Sequence, residues 1–367
     1  MGDRMKNRLV TASFFFILSA LTVVNLILPD QELSYSERRR LLAVPAYSME
    51  KLLSGELFEQ YEKYFLDQFA FREQFRSLKA FFKLYLLQQK DNNRIYIVNG
   101  KLYKMEYPLS EKSIQNAAEK LNAIYERYLQ GMNVSYAVIP DKNYFAAAKY
   151  GYLLMDYDEL LNIMHQNVKN MNYIDLLDCL EDSDYYRTDI HWSQDKIIKA
   201  AEKLLTGMGN DVKLSEHQFE RRELYPFYGA LYRQAALRVQ PDTLVYLTND
   251  ALENAVVYDH ASGTYSKVYR PELFEGIDPY DVFLSGAKPL LTIYNPASET
   301  DKELILFRDS FGSSIAPLLL SGYGRITLVD IRYISPDILD RYIDFSQGQD
   351  VLFLYSTQIL NNSAMLK

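Results

Sequence analysis

The chain has 367 residues, 48 acidic against 40 basic side chains and one cysteine. The resulting net charge of −8 lacks the basic excess that a nucleic-acid partner demands. The lone Cys179 excludes an internal disulfide framework, so stability must come from packing.

Leu9 to Leu28 carries no charge and is dominated by Leu, Ile, Val and Phe. As a helix it spans about 30 Å, the thickness of a bilayer's hydrocarbon core. Arg4, Lys6 and Arg8 precede it, and Pro29, Asp30 and Glu32 follow. This asymmetry places residues 1–8 in the cytoplasm and the remaining chain outside it. A cleaved signal peptide has a shorter apolar core and a small-residue exit; Ile27-Leu28-Pro29-Asp30 is a poor one, which favours an uncleaved single-pass anchor.

Residues 29–90 read as a linker and a helical arm. Glu37-Arg38-Arg39-Arg40 and Pro45 mark a polar spacer. Leu52, Leu53, Leu57, Phe58, Tyr61, Tyr64, Phe65 and Phe69 then recur at helical steps, followed by Phe71, Phe75, Leu78, Phe81, Phe82 and Tyr85. The stripe is expected to be packing surface.

Residues 91–367 form the body. Strands are expected at 95–98, 134–139, 173–175, 304–307, 326–331 and 351–355, and helices at 111–129, 158–168, 194–205 and 336–343. The strands are continuous apolar runs, the mark of a parallel sheet covered on both faces, so the fold class is an α/β three-layer sandwich. Glycines and prolines crowd 210–300, which reads as a β-rich insertion holding short runs at 243–247 and 255–258. The 31 tyrosines fit a carbohydrate partner and equally fit half-buried packing.

Two segments carry chemistry. Asp189 and His191, two apart in an extended stretch, share a side, so the carboxylate can orient the ring. Ser310 follows the 304–307 strand in a small-residue turn, where parallel sheets place ligands and where the next helix aims its free N–H groups at a developing oxyanion. Gly312 permits close backbone approach there, and Pro317 should fall in the first helical turn. Serine, imidazole and acid are the parts of a nucleophile system; the plainer reading is a capping serine and an exposed histidine. The four histidines (His165, His191, His217 and His260) lack metal-ligand spacing, so neither metal nor cofactor is expected.

These stretches, in order, resemble known proteins. They are Leu28-Pro29-Asp30, Tyr64-Phe65-Leu66-Asp67-Gln68-Phe69-Ala70-Phe71-Arg72, Ile139-Pro140-Asp141-Lys142, Tyr186 to Ser193, Tyr280-Asp281-Val282-Phe283-Leu284, Arg308 to Gly312 and Asp330-Ile331-Arg332-Tyr333. Over most of its length the chain resembles the DHHW family of bacterial surface proteins. More distantly, it is similar to alginate O-acetylation proteins with SGNH-hydrolase-like folds. The family's first histidine is Ile190 here, whereas the histidine two after the aspartate is kept as His191.

The resemblance implies that Ser310 is the nucleophile, His191 the base and Asp189 its orienter, in the rearranged order of the acetylation proteins. Arg332 and Tyr333, after the next strand, and Lys142 and Asn143, after the 134–139 strand, are candidates for substrate binding or the oxyanion site. The implied activity is O-acetyl transfer to a cell-surface polysaccharide. Acetyl-CoA is confined to the cytoplasm, so a multi-spanning O-acyltransferase would supply the acetyl group. The alternatives are an acetyl-esterase on the same substrates, a non-catalytic polysaccharide-assembly subunit and an envelope structural protein.

Overall fold

The computed structural model describes residues 3–34 and 39–367; Glu37 and Arg38 of the charged spacer lie outside the described residues. The chain divides into two compact units. One comprises residues up to Asn92 together with Arg233–Arg238, and the other Asn93–Tyr232 with Val239–Lys367.

In the first unit, helix α1 (Asp3–Ile27) is the one described helix long and apolar enough to cross a membrane, with a mean hydropathy of 2.1. The arm breaks into α2 (Met49–Ser54), α3 (Glu56–Asp67) and α4 (Arg72–Phe81), the last running on as a π-helical turn to Leu86. Gly55, with φ of 82°, ends α2 in a conformation that costs glycine little. The arm is tied to the segment after α1 by polar contacts. Arg39 grips Asp67 with two bonds of 2.7 and 2.5 Å, which holds that carboxyl below the usual carboxylate range. Tyr64 donates to Asp30 at 2.9 Å, and the Gln68 amide exchanges bonds with both backbone groups of Gln31.

The expected burial of the aromatic stripe fails. Of residues 49–90 only Leu57, Ala70 and Ala80 are buried apolar residues, whereas Phe58 is 67% and Phe81 53% exposed. The helices have the right period but, among the described residues, no layer to receive it.

The second unit is built on an eight-stranded sheet. A separate hairpin, β1 (Ile95–Val98) and β2 (Lys101–Lys104), comes first. Helix α5 (Glu111–Ile124), strand β3 (Asn133–Ile139), α6 (Lys142–Tyr150), α7 (Tyr157–Asn167), β4 (Asn172–Tyr173) and α8 (Ile198–Gly207) follow. The 210–300 region supplies a hairpin, β5 (Glu220–Phe227) with β6 (Asp242–Thr248), and then β7 (Val256–Asp259), β8 (Thr264–Ser266) and β9 (Leu290–Tyr294). Strand β10 (Glu303–Arg308), α9 (Phe311–Leu319), β11 (Arg325–Val329) and β12 (Asp350–Ser356) complete the fold.

The spatial order is β8-β7-β9-β11-β10-β12-β3-β4. The five strands from β11 to β4 are parallel, and β9, β7 and β8 add antiparallel neighbours at one edge. The insertion therefore extends the central sheet as well as forming its own hairpin. Side-chain alternation makes three layers. Leu304 and Leu306 face a core with α8 and α9, while Ile305 and Phe307 face one with α5 and α7. The strand that precedes Ser310 thus lies inside the sheet, buried on both faces.

Candidate active site

Ser310 follows β10 across one residue, Asp309, and enters α9 in a helical conformation (φ −63°, ψ −24°). Its Oγ lies 2.7 Å from His191 Nε2, and His191 Nδ1 lies 2.6 Å from Asp189 Oδ1. A buried carboxylate accepts, so Nδ1 carries the proton and Nε2 keeps its lone pair for the hydroxyl. The three sequence candidates for nucleophile, base and orienter therefore form one hydrogen-bonded chain.

The imidazole segment is held from several directions. Tyr185 and Trp192 form an antiparallel bridge, and the Tyr186 amide donates to the His191 carbonyl at 3.0 Å. At the tip, the Arg187 and Thr188 amides both donate to Asp242, each at 2.7 Å. Asp189 is fully buried and accepts from the His191 amide at 3.0 Å and from the Ala230 amide at 2.6 Å. A methyl group on Gly229 would collide with the Asp189 side chain, so only glycine lets the Ala230 amide this close.

The ring itself is clamped. Tyr280 stacks on it at a centroid distance of 3.9 Å with planes 9° apart, and Phe311 lies against it at 4.8 Å. Tyr280 and the Trp192 indole both donate to Ser314 Oγ at 2.8 Å. An imidazolium formed during reaction would gain from the electron-rich face of Tyr280.

The N-terminal amides of α9 are not free for an oxyanion. Phe311 donates to Asp309 Oδ1 at 2.9 Å, Gly312 to the Asp309 carbonyl at 3.1 Å and Ser313 to the Ser310 carbonyl at 3.1 Å. Asp309 caps the turn and takes up two of the three donors that the sequence pattern assigns to substrate. Gly312 serves packing, because the stem of the buried Arg308 fills the space a side chain would need. Pro317 lies inside α9, beyond its first turn.

Lys142 and Asn143 are not displayed to substrate; both are buried. Lys142 Nζ donates to the carbonyls of Leu102, Tyr186 and Asp189 at 2.6, 2.7 and 2.9 Å, which makes it a post beneath the imidazole segment. Burial pushes its amine down to about 7, while the carbonyls around it favour the ammonium. Asn143 bridges the Tyr96 hydroxyl and the Leu153 carbonyl. Arg332 is engaged by Asp330 through bonds of 2.8 and 2.6 Å, and Asp330 also faces Arg308 at 3.7 Å. Tyr333 is half exposed, beneath the Arg332 guanidinium at 5.3 Å. Of the four, Tyr333 alone presents its side chain largely to solvent.

Gly229, Ala230, Tyr280 and Ser314 were not predicted as site residues. Tyr280 falls within the Tyr280–Leu284 stretch and Gly229 among the glycines of the 210–300 insertion; neither signal points at a histidine.

No protein-family model and no curated protein sequence matches the chain. Solved structures do. A DHHW family protein from Eubacterium siraeum superposes with a TM-score of 0.59 at 21% identity, over 74% of this chain and 92% of its own. The chain shares its fold with that protein. Bacillus cereus PatB1 gives 0.57 at 17% identity, over 73% of this chain and 97% of its own, and has also been solved with a sulfonyl adduct. The O-acetyltransferase domain of Pseudomonas putida AlgJ gives 0.44 at 14% identity, over 73% of this chain and 92% of its own.

Proposed function

We propose that this chain is a membrane-anchored extracytoplasmic O-acetyltransferase that acts on a cell-surface polysaccharide through Ser310, His191 and Asp189. The supporting observation is the continuous path of bonds from Asp189 through His191 to Ser310 Oγ. In this reading residues 1–8 stay in the cytoplasm, 9–28 span the membrane, 29–90 form the arm and 91–367 carry the chemistry.

His191 Nε2 takes the Ser310 proton as Oγ attacks the acetyl carbonyl carbon. The tetrahedral intermediate collapses when the donor's leaving oxygen takes that proton from His191, leaving acetyl-serine. A sugar hydroxyl then gives its proton to His191 and attacks the ester, and Ser310 leaves with the proton restored. Asp189 stabilises the imidazolium in both halves without being protonated. Water in place of the sugar makes the same site an esterase, so the acceptor is chosen by how well water is excluded. A multi-spanning O-acyltransferase would deliver the acetyl group to this side of the membrane.

The test is acetyl transfer from an activated acetyl ester to an oligosaccharide acceptor, by wild type and by Ser310→Ala. Wild type should transfer and the variant should not; equal rates would remove the nucleophile. A sulfonyl reagent of the class that modifies PatB1 should add one group to wild type and none to Ser310→Ala.

A further inference from the structure

The arm leaves a large apolar surface that the active site does not use. Along the Arg72–Leu86 helix, Phe75, Leu78, Phe82 and Tyr85 recur on one side and are 46%, 49%, 43% and 57% exposed. Ala80, on the opposite side, is fully buried. Phe75 and Phe82 therefore face away from the side that buries Ala80, while Leu78 and Tyr85 line an open pocket whose other wall is Ala236–Arg238. Arg72, Arg76, Lys79 and Lys83 run along one flank at helical spacing. Between residues 68 and 90 there are five cations and a single acid, Glu73, in a chain whose net charge is −8. An apolar face of Phe and Leu beside a basic flank is the signature of a helix lying in a membrane interface, with cations near anionic headgroups and rings at the acyl boundary.

A second observation fixes the depth. The Ala70 amide donates to Asn25 Oδ1 at 2.6 Å. Asn25 lies three residues inside the uncharged span, which is about 4–5 Å at the helical rise. The Tyr64–Asp30 and Gln68–Gln31 bonds hold the same turn against the residues that leave α1. The start of α4 is thereby kept where hydrocarbon gives way to headgroups.

We propose that the aromatic face of α4 and its π-helical continuation rests on the bilayer that α1 crosses, an inference that relies on α1 as a span. Phe75, Leu78 and Phe82 occupy the boundary between acyl chains and headgroups. Lys79 and Lys83 lie at lipid phosphates.

The test uses the full chain in vesicles of phosphatidylcholine and phosphatidylglycerol, with and without brominated acyl chains. Phe16→Trp reports α1, while Phe75→Trp and Phe82→Trp report the arm; the buried Trp192 sets the background. Brominated lipid should remove most of the added emission at all three positions. Phe82 decides the matter, because it lies about 18 Å of helix beyond the Ala70 tether. Quenching at position 16 without quenching at 75 and 82 overturns the proposal. If those two are then also shielded from aqueous iodide, the face belongs to a protein partner or a second copy. Absence of quenching at position 16 removes the span, and this inference with it.

Discussion

The body and the arm treat the same residue types in opposite ways. In the body, Phe307, Phe311 and Phe353 are at most 1% exposed, and the groups that hold Asp189 and His191 are bonded to one another. In the arm the polar groups are also paired, at Asp67, Asp30 and Gln68, but the rings face outward. Apolar burial supplies the body's cohesion, while the arm's internal order rests on a few charge-assisted bonds. A helix whose period is right and whose face is open needs something outside itself to cover it.

The contrast can be broken or sharpened at specific residues. Ser310→Ala should lower acetyl transfer by about 10⁴–10⁶-fold with an unchanged unfolding midpoint, measured by steady-state kinetics and calorimetry. Asp189→Asn should cost about 10³–10⁴-fold in kcat, because an amide can present the wrong partner to His191 Nδ1; retention of near wild-type kcat would show that the ring needs no orienter. Phe307→Ala, inside the sheet, should destabilise the body by about 3–5 kcal/mol in denaturant titrations.

Gly229→Ala pushes a methyl into Asp189, so a loss of about 1–3 kcal/mol should come with slower turnover. Stability lost without turnover would place Gly229 in packing alone. The buried Asp141 gives a pH signature. Burial raises its carboxyl to about 6, against an ordinary value of 3.8, despite the Thr357 and Tyr157 hydroxyls that bond it. Between those values the folded state binds the extra proton, so stability should fall as pH rises from about 4 to 6, by roughly 3 kcal/mol. Asp141→Asn should flatten that segment of the wild-type curve. The smallest effect belongs to the arm. Phe75→Ala in detergent should move the body's unfolding by less than about 0.5 kcal/mol.

Much of the body was legible. Runs such as Leu304–Phe307 and Val351–Tyr355 are apolar at every position because both faces of the sheet are covered, and they emerged as central strands. The two-residue spacing of Asp189 and His191 survives because the segment is extended there. Illegible features depend on distance in sequence. Pairing of β9 with β11 joins 290–294 to 325–329 antiparallel, and no local pattern announces that the insertion widens the sheet. Ala230 contributes a backbone amide, and an amide leaves no mark in the side-chain alphabet. Lys142 differs for the converse reason: its place after the 134–139 strand suggests a substrate contact, while three or more carbonyls make burial of its charge tolerable. Asp309 carries no signal beyond being a neighbour of the serine, although it takes up the Phe311 and Gly312 amides.

Strand β12, formed by 350–356, lies between the strand that leads to Ser310 and the strand that leads to Lys142. At its end the Ser356 amide reaches Asp309 at 2.8 Å, and the Thr357 hydroxyl reaches Asp141 at 2.7 Å. The strand is thus a keystone between the Ser310 turn and the turn that carries Asp141 and Lys142. Without it the Ser310 turn would lose the Ser356 amide on Asp309, while Trp192 and Tyr280 would still tie α9 to the imidazole segment through Ser314.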